Sequence, residues 1–145
     1  MTHRIPITLL VGFLGSGKTT LINNILSVDS GKRIAIIENE FGEISLDQEF
    51  IKEGIAYKKG ELIIEMNNGC LCCSINGDLV NTLQNLLEKK NDFDHIIIEA
   101  TGMASPGPII QTLRNVKIID ENFLLTSVVT IVDSFRFFDN LENTK

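Results

Sequence analysis

A glycine-rich segment near the start of the chain has the residue types and spacing to hold a row of phosphates. Residues 12–20 read GFLGSGKTT and fit the pattern G-x-x-x-x-G-K-[ST]. Glycines let the backbone curl until successive N–H groups point at phosphate oxygens, while the lysine reaches the β- and γ-phosphates and the threonine hydroxyl binds Mg²⁺. The predicted nucleotide-binding residues are Gly12, Gly15, Ser16, Gly17, Lys18, Thr19 and Thr20.

An acidic residue that could assist the phosphate loop lies where a strongly apolar run ends. Residues 96–102 read IIIEATG, so an apolar strand delivers the carboxylate of Glu99 to its carboxyl end. Beside a phosphate loop, such a carboxylate holds Mg²⁺ directly or through water, or orients an attacking water, and the Gly102 amide offers a donor to the γ-phosphate. A solvated glutamate is the plain alternative for Glu99 alone, but the phosphate loop favours Lys18 and Glu99 as a catalytic pair.

All three cysteines of the chain lie within four residues, at Cys70, Cys72 and Cys73. Disulfide frameworks spread their cysteines along the chain, and neighbouring cysteines pair only with strained geometry. Three thiolates instead fill three corners of a tetrahedral Zn²⁺ site, and soft thiolates also suit Cu(I). The cluster is too dense for three buried apolar cysteines, so we predict metal or redox chemistry. The fourth ligand of a metal would be a water, a substrate or a carboxylate.

Several acidic residues directly follow predicted strands and are candidates to join these groups. In a doubly wound sheet, ligands gather at the carboxyl ends of the strands, so the phosphate loop, the cysteines and these acids are expected at one edge. His95 lies near the start of a strand, and we expect it at the opposite edge and not as a ligand. The acidic candidates are Glu38, Glu40 and Glu43 after the second predicted strand, and Asp133 after the last.

Predicted strands and helices alternate along the chain and position these groups. Apolar runs predict strands, and apolar residues three or four positions apart predict amphipathic helices. The alternation implies βαβ units, so we predict an α/β fold of the P-loop NTPase type, with a doubly wound, mostly parallel sheet flanked by helices. The predicted strands cover residues 5–11, 33–37, 62–66, 94–99 and 127–132, the helices 19–26, 79–87 and 106–113, and residues 46–59 form a loop with a short edge hairpin.

The composition is typical of one soluble globular domain and argues against several kinds of partner. The chain has 145 residues, of which 43% are apolar and 22% charged, with 13 Lys and Arg against 19 Asp and Glu. The resulting charge of −6 offers no basic surface to a nucleic acid. The apolar run at residues 5–14 is too short to span a bilayer and is not followed by a signal-peptide cleavage site. We therefore expect a cytoplasmic protein without a nucleic-acid or membrane partner.

Five motifs together resemble those of the CobW-type metallochaperone GTPases, relatives of the GTPases that insert nickel into hydrogenase and urease. The Cys-x-Cys-Cys element is the most specific of them. The resemblance implies a protein that binds and hydrolyses GTP with Mg²⁺, binds zinc or another transition metal, and delivers it to a client metalloprotein. The motifs are GFLGSGKTT at 12–20, ENEFG at 38–42, GCLCC at 69–73, EATG at 99–102 and VVTIVD at 128–133.

The same resemblance assigns roles to single residues and shows what this sequence lacks. The guanine-reading Asn-Lys-x-Asp motif and the C-terminal domain of the family have no counterpart in residues 1–145. We therefore expect this chain to be the N-terminal part of a P-loop GTPase domain. The metal ligands of the family correspond to Cys70, Cys72 and Cys73 with Glu43 or Glu38 as a carboxylate, its nucleotide loop to residues 15–20, and its Glu-x-x-Gly motif to Glu99 and Gly102.

Two other functions stay open from the sequence. A P-loop kinase acting on a small molecule would use the same phosphate loop with structural cysteines, and its turnover would not require the thiols. A metal-binding module regulated by nucleotide, without significant hydrolysis, would release no phosphate even when its metal is bound. The identity of the metal, the client and the presence of a homo-oligomer are also left open.

Overall fold

A sheet of six strands with helices on both faces forms the part of the chain that the structure describes. The computed structural model describes residues 4–28, 31–38, 55–58, 61–65, 75–100 and 105–138. The strands are β1 (Ile5–Gly12), β2 (Ile34–Glu38), β3 (Ile55–Lys58), β4 (Glu61–Glu65), β5 (His95–Glu99) and β6 (Phe123–Ile131). The helices are α1 (Lys18–Ser27), α2 (Ile75–Glu88), α3 (Pro106–Asn115) and α4 (Lys117–Asn122).

The strand order across the sheet is β3-β4-β2-β5-β1-β6. All neighbouring pairs from β4 to β6 are parallel, whereas β3 pairs antiparallel with β4. The prediction of a doubly wound, mostly parallel sheet is therefore confirmed. The edge hairpin of the structure pairs β3, which lies within the predicted range 46–59, with β4, which was predicted as a separate strand, and residues 46–54 lie outside the described residues. Because five strands run in one direction, their carboxyl ends meet at one edge, which is where ligands bind in such sheets.

The central strands are apolar throughout because helices cover them from both sides. Alternate residues of β1 face opposite layers, so that Ile7 and Leu9 pack in one cluster and Leu10 packs in another. The first cluster includes Leu83 of α2, which is 0% exposed, together with residues of α3 and α4, and the second includes Ile22 of α1. Each such side chain contributes about 1.5–3 kcal/mol through burial, and this two-sided core holds the carboxyl edge in place.

An ion pair at the opposite edge fixes the alignment of β2 with β5. The guanidinium of Arg33 donates to both carboxylate oxygens of Asp94, at 2.8 and 3.2 Å, and the Arg33 backbone N–H donates to Asp94 Oδ2 at 3.0 Å. The hydrogen bonds from Arg33 lower the pKa of Asp94 to about 2. Both residues precede their strands, so the pair aligns the two strands from their amino ends to their carboxyl ends.

Three features differ from the predicted elements. Helix α2 begins at Ile75, four residues before the apolar stripe that predicted it. Helix α4 was not predicted, because its six residues make fewer than two turns and show no repeating apolar stripe. Strand β6 begins at Phe123 and not at residue 127, since an irregularity interrupts its alternation. Ile7 pairs with Leu125 but Thr8 pairs with Ser127, so the intervening Thr126 forms a bulge whose hydroxyl donates to the Ile7 carbonyl at 2.9 Å.

Candidate functional site

The predicted phosphate loop joins the carboxyl end of β1 to the amino end of α1. β1 ends at Gly12 and α1 begins at Lys18, so the five residues between them make the turn. Gly17 caps α1 with a left-handed backbone, φ 101° and ψ 16°, and neither a capping side chain nor an acidic residue occupies the first turn. The amino end of α1 therefore presents its partial positive charge to the loop. The strand and helix that were predicted on either side of this motif are confirmed.

Gly12 allows the loop to pass very close to β6. It pairs in register with Ile131 and has a φ of 152°, a backbone conformation that side chains disfavour. A Cβ atom at Gly12 would overlap the carbonyl oxygen of Ile131 and lie 2.7 Å from Ser16 Oγ. Only glycine fits at this position, so packing against β6 is sufficient to require the first glycine of the motif.

The side chain of Lys18 folds back into the loop that precedes it. Its Nζ atom donates to the carbonyl oxygens of Gly12 at 3.0 Å and Phe13 at 3.1 Å, and it lies 3.9 Å from Glu99 Oε1. The Lys18 side chain is 6% exposed and that of Glu99 is 14% exposed. The structure thus brings together the two residues predicted as a catalytic pair, and their catalytic roles stay predictions.

Three glutamates lie side by side where three parallel strands end. Glu38 at the end of β2 pairs in register with Glu99 on β5 and with Glu65 on β4. Adjacent strands are about 4.8 Å apart, so the Cα atoms of Glu65 and Glu99 are about 10 Å apart. The expected proximity of Glu38 and Glu99 is confirmed. The sequence prediction omits Glu65, although the strand predicted at residues 62–66 already placed it near the same edge.

The two remaining strand-end predictions have different outcomes. Asp133 follows β6 at the predicted edge, but its Oδ1 accepts the backbone N–H groups of Phe135 and Arg136 at 3.0 and 3.2 Å, so it caps a turn. His95 begins β5 at the opposite edge, as predicted, and its Nε2 lies 2.9 Å from Thr8 Oγ1. Burial lowers the pKa of His95. These hydrogen bonds do not connect Asp133 or His95 to the loop around Lys18.

The predicted metal site falls on residues that the structure does not describe. Within the described ranges, no group of three or more His, Cys, Asp or Glu residues is placed to hold a metal ion. The thiol site therefore stays a prediction, as does the amide donor of the Glu-x-x-Gly motif. The candidates outside the described residues are Glu40, Glu43, Cys70, Cys72, Cys73 and Gly102.

The oxygen donors near the loop suit Mg²⁺. This ion prefers hard oxygen ligands and is usually held by one or two protein groups together with substrate phosphates. Thr19 is the second residue of α1 and is exposed, and Glu99 ends the neighbouring strand with its carboxylate close to Lys18. A hydroxyl and a carboxylate beside a phosphate loop therefore fit a Mg²⁺–nucleotide complex.

A comparison with known families agrees with this geometry. The sequence profile of the CobW/HypB/UreG nucleotide-binding domain matches residues 6–145. The chain belongs to this family. The match covers the phosphate loop, all four described helices and the carboxyl edge of this CobW/HypB/UreG domain.

Known relatives of the domain are named as zinc chaperones. The zinc chaperone YjiA of Escherichia coli (strain K12) is 44% identical over 134 residues, which are 90% of this chain and 41% of YjiA. The zinc chaperone CobW of Sinorhizobium sp is 45% identical over 132 residues, which are 90% of this chain and 37% of that protein. The chain therefore spans about two-fifths of the length of these curated relatives.

A solved structure of one relative has the same fold. The crystal structure of Zn(II)-bound YjiA GTPase from E. coli superposes with a TM-score of 0.71 at 39% identity, covering 99% of this chain and 45% of the YjiA chain. The P-loop NTPase fold predicted from the sequence is thereby confirmed. In the described part of the CobW/HypB/UreG domain, no helix is both long enough and apolar enough to cross a bilayer.

Proposed function

We propose that the protein binds and hydrolyses GTP and uses this cycle to carry zinc to a client metalloprotein in the cytoplasm. The observation that carries the proposal is the position of the Lys18 ammonium, which lies inside a G-x-x-x-x-G-K-[ST] loop and 3.9 Å from Glu99. The names of the relatives, two zinc chaperones and a Zn(II)-bound GTPase, support both halves of the proposal.

Each residue around the loop has a task in GTP hydrolysis. The loop amides and the amino end of α1 bind the phosphates, and Lys18 exchanges its two carbonyl partners for β- and γ-phosphate oxygens. Thr19 and Glu99 would hold Mg²⁺, which would neutralise the charge that develops on the phosphates. Glu99 also orients the attacking water, and the amide of Gly102 donates to the γ-phosphate. The whole arrangement works by positioning and by charge stabilisation.

The shortness of the segment between β4 and the first cysteine supports a zinc site near the nucleotide. β4 ends at Glu65, which is in register with Glu38 and about 10 Å from Glu99. Cys70 follows Glu65 by five residues, and five residues span at most about 18 Å. The thiols of Cys70, Cys72 and Cys73, with Glu38 or Glu43 as a carboxylate, would bind zinc as the cargo of the protein.

Zinc and GTP are expected to affect each other's affinity because their ligands leave the same edge of the sheet. Nucleotide binding at this edge would act on the segments that follow β2 and β4, which carry the carboxylates and the thiols. Such coupling is reciprocal, so if GTP tightens the binding of zinc, zinc tightens the binding of GTP by the same factor. Hydrolysis would then relax these segments and release the metal.

The nucleotide half of the proposal is tested with two lysine variants. Lys18→Ala removes the cation inside the loop, and we expect it to abolish GTP binding and hydrolysis. Lys117→Ala is the matched control, because Lys117 is 88% exposed on α4 and pairs with Glu121 across one helical turn. Isothermal titration with GTP and Mg²⁺, followed by a phosphate-release assay, gives both readouts. Equal binding by the two variants would contradict the assignment of the loop.

The metal half is tested by a zinc titration with and without a non-hydrolysable GTP analogue. We expect the analogue to change the zinc affinity, and replacement of Cys70, Cys72 and Cys73 by serine to abolish zinc binding and its effect on turnover. Identical zinc affinities would refute the coupling. Phosphoryl transfer to a small acceptor that survives the cysteine replacement would favour a kinase. Binding of both ligands without phosphate release would favour a regulated metal-binding module.

A further inference from the structure

The Lys18 ammonium is held by three oxygens of its own chain. Two are the carbonyl oxygens of Gly12 and Phe13, at 3.0 and 3.1 Å, and the third is Glu99 Oε1 at 3.9 Å. A lysine that is only 6% exposed needs hydrogen-bond partners for its ammonium and a compensating charge. The two carbonyls supply partners, and Glu99 supplies the charge.

We propose that Glu99 is a positioning residue that holds Lys18 against the carbonyls of the loop and so competes with the triphosphate for the lysine. This inference rests on the proposed nucleotide binding and adds a second task for Glu99, alongside its proposed contact with Mg²⁺. A nucleotide must draw Lys18 away from Gly12, Phe13 and Glu99 before the lysine can reach the phosphates. The carboxylate therefore weakens nucleotide binding by favouring the conformation in which Lys18 is already paired.

Other contacts in the loop are consistent with a conformation that changes on binding. The backbone N–H of Ser16, which lies in the predicted phosphate cradle, donates to the carbonyl oxygen of Phe13 at 3.1 Å. The hydroxyl of Ser16 is buried and has no hydrogen-bond partner among the residues that the structure describes. A loop that satisfies its own donors in this way must rearrange before those donors can face a phosphate.

Two variants at position 99 distinguish this inference from a simple repulsion between the Glu99 carboxylate and the triphosphate. Glu99→Gln removes the negative charge, so it relieves both the pairing with Lys18 and the repulsion of the triphosphate. Glu99→Asp keeps the charge but withdraws it by about 1.5 Å, one carbon–carbon bond, which weakens the pairing with Lys18 and leaves a full negative charge near the triphosphate. Repulsion therefore predicts a change only in the glutamine variant, whereas positioning of Lys18 predicts a change in both.

The first measurement is the affinity of the protein for a fluorescent methylanthraniloyl-GTP, with EDTA present so that no divalent ion contributes to binding or hydrolysis. We expect Glu99→Gln to bind the nucleotide at least tenfold more tightly and Glu99→Asp several-fold more tightly, because the attraction between unit charges about 4 Å apart near a protein surface is lost in the first variant and falls by about a quarter in the second. Glu121→Gln is the control, because Glu121 is 60% exposed on α4. An unchanged affinity in Glu99→Asp would overturn the inference.

The second measurement follows Lys18 without any nucleotide. Brief treatment with acetic anhydride and mass spectrometry of the peptide that contains Lys18 report how freely its amine reacts. We expect acetylation of Lys18 to be several-fold faster in both Glu99 variants and unchanged in Glu121→Gln, with circular dichroism confirming that all variants are folded. An unchanged rate overturns the inference even if nucleotide binds. If the rate rises but the wild-type protein binds no nucleotide, the proposed function fails and the pairing stands.

Discussion

Replacement of Gly12 by alanine is the sharpest test of the loop, because the new methyl group meets the backbone of another strand. The Cβ atom would overlap the carbonyl oxygen of Ile131 on β6 and approach Ser16 Oγ to 2.7 Å. The serine hydroxyl can rotate, but the Ile131 carbonyl belongs to the last residue of β6 and cannot move without that strand. Gly12 also has a φ of 152°, so the alanine would be strained even if the space were open.

The loss of stability in Gly12→Ala follows from the backbone strain and from the overlap with Ile131. Holding an alanine in so disfavoured a backbone conformation costs roughly 1–3 kcal/mol. Separating the ends of β1 and β6 to relieve the overlap loses backbone hydrogen bonds worth about 1 kcal/mol each. We therefore expect Gly12→Ala to lower the free energy of unfolding by about 3–5 kcal/mol, a large part of the total of about 5–15 kcal/mol for a domain.

Gly31→Ala is the matched control, since Gly31 has a φ of 66° but a Cβ atom there would meet nothing within 4 Å. Gly31→Ala should lower the free energy of unfolding only by the strain of an alanine in the left-handed backbone conformation, roughly 1–2 kcal/mol. Urea unfolding of both variants gives the free energies, and a phosphate-release assay should show turnover falling about 100-fold in Gly12→Ala only, as for a displacement of about 1 Å. If the two variants lose equal stability and both keep their turnover, the close approach of β1 and β6 is not a constraint.

Three further predictions concern acid stability, a buried hydroxyl and the core. Because its pKa falls from 3.8 to about 2, Asp94 stabilises the fold fully above pH 4 and progressively less as the pH drops towards 2. The free energy of unfolding of Asp94→Asn, measured with urea between pH 5 and 2, should therefore lack this part of the pH dependence. A profile identical to that of the wild-type protein would contradict the role of Arg33. Ser16→Ala should raise the free energy of unfolding, measured without nucleotide, by about 1 kcal/mol, because it removes a buried hydroxyl without a partner among the described residues; a decrease would mean that the hydroxyl is satisfied. Leu83→Ala should cost about 3 kcal/mol because Leu83 is fully buried. Leu14→Ala should change stability by less than about 0.5 kcal/mol because Leu14 is 87% exposed, and equal losses would contradict the assigned core.

The fold was predictable wherever burial on both faces makes a strand continuously apolar. Residues 5–11, 33–37 and 94–99 have this pattern, and each coincides with a central strand within one residue at either end. Prediction failed where local geometry breaks the pattern. The bulge at Thr126 interrupts β6 so that its first half was missed, and α4 is too short for its period to be visible.

The site was predictable to the extent that it depends on strand direction. Parallel strands end at one edge, so the sequence alone predicts Lys18, Glu38 and Glu99 there. The contacts of Lys18 with its own loop were not predictable, because the motif specifies what the lysine does with phosphates and not where it rests otherwise. The missed Glu65 shows that a single strand-end acid is hard to select without knowing the strand order, which places β4 beside β2.

The order and register of the strands also explain why the acid at position 99 is a glutamate, where phosphate-binding folds usually have aspartate. Glu99 lies opposite Leu10 of β1, two residues before the loop begins at Gly12. One strand spacing sideways and two residues along the strand place the Cα atoms of Glu99 and Gly12 about 8 Å apart. Across that gap the Glu99 carboxylate lies 3.9 Å from Lys18 Nζ, and an aspartate, which is one methylene shorter, would place its carboxylate about 1.5 Å farther away. If the chain needed the acid only as a ligand of Mg²⁺, an aspartate aided by water would suffice; contact with the lysine requires the longer side chain, so the two lengths should differ in nucleotide affinity even without a divalent ion.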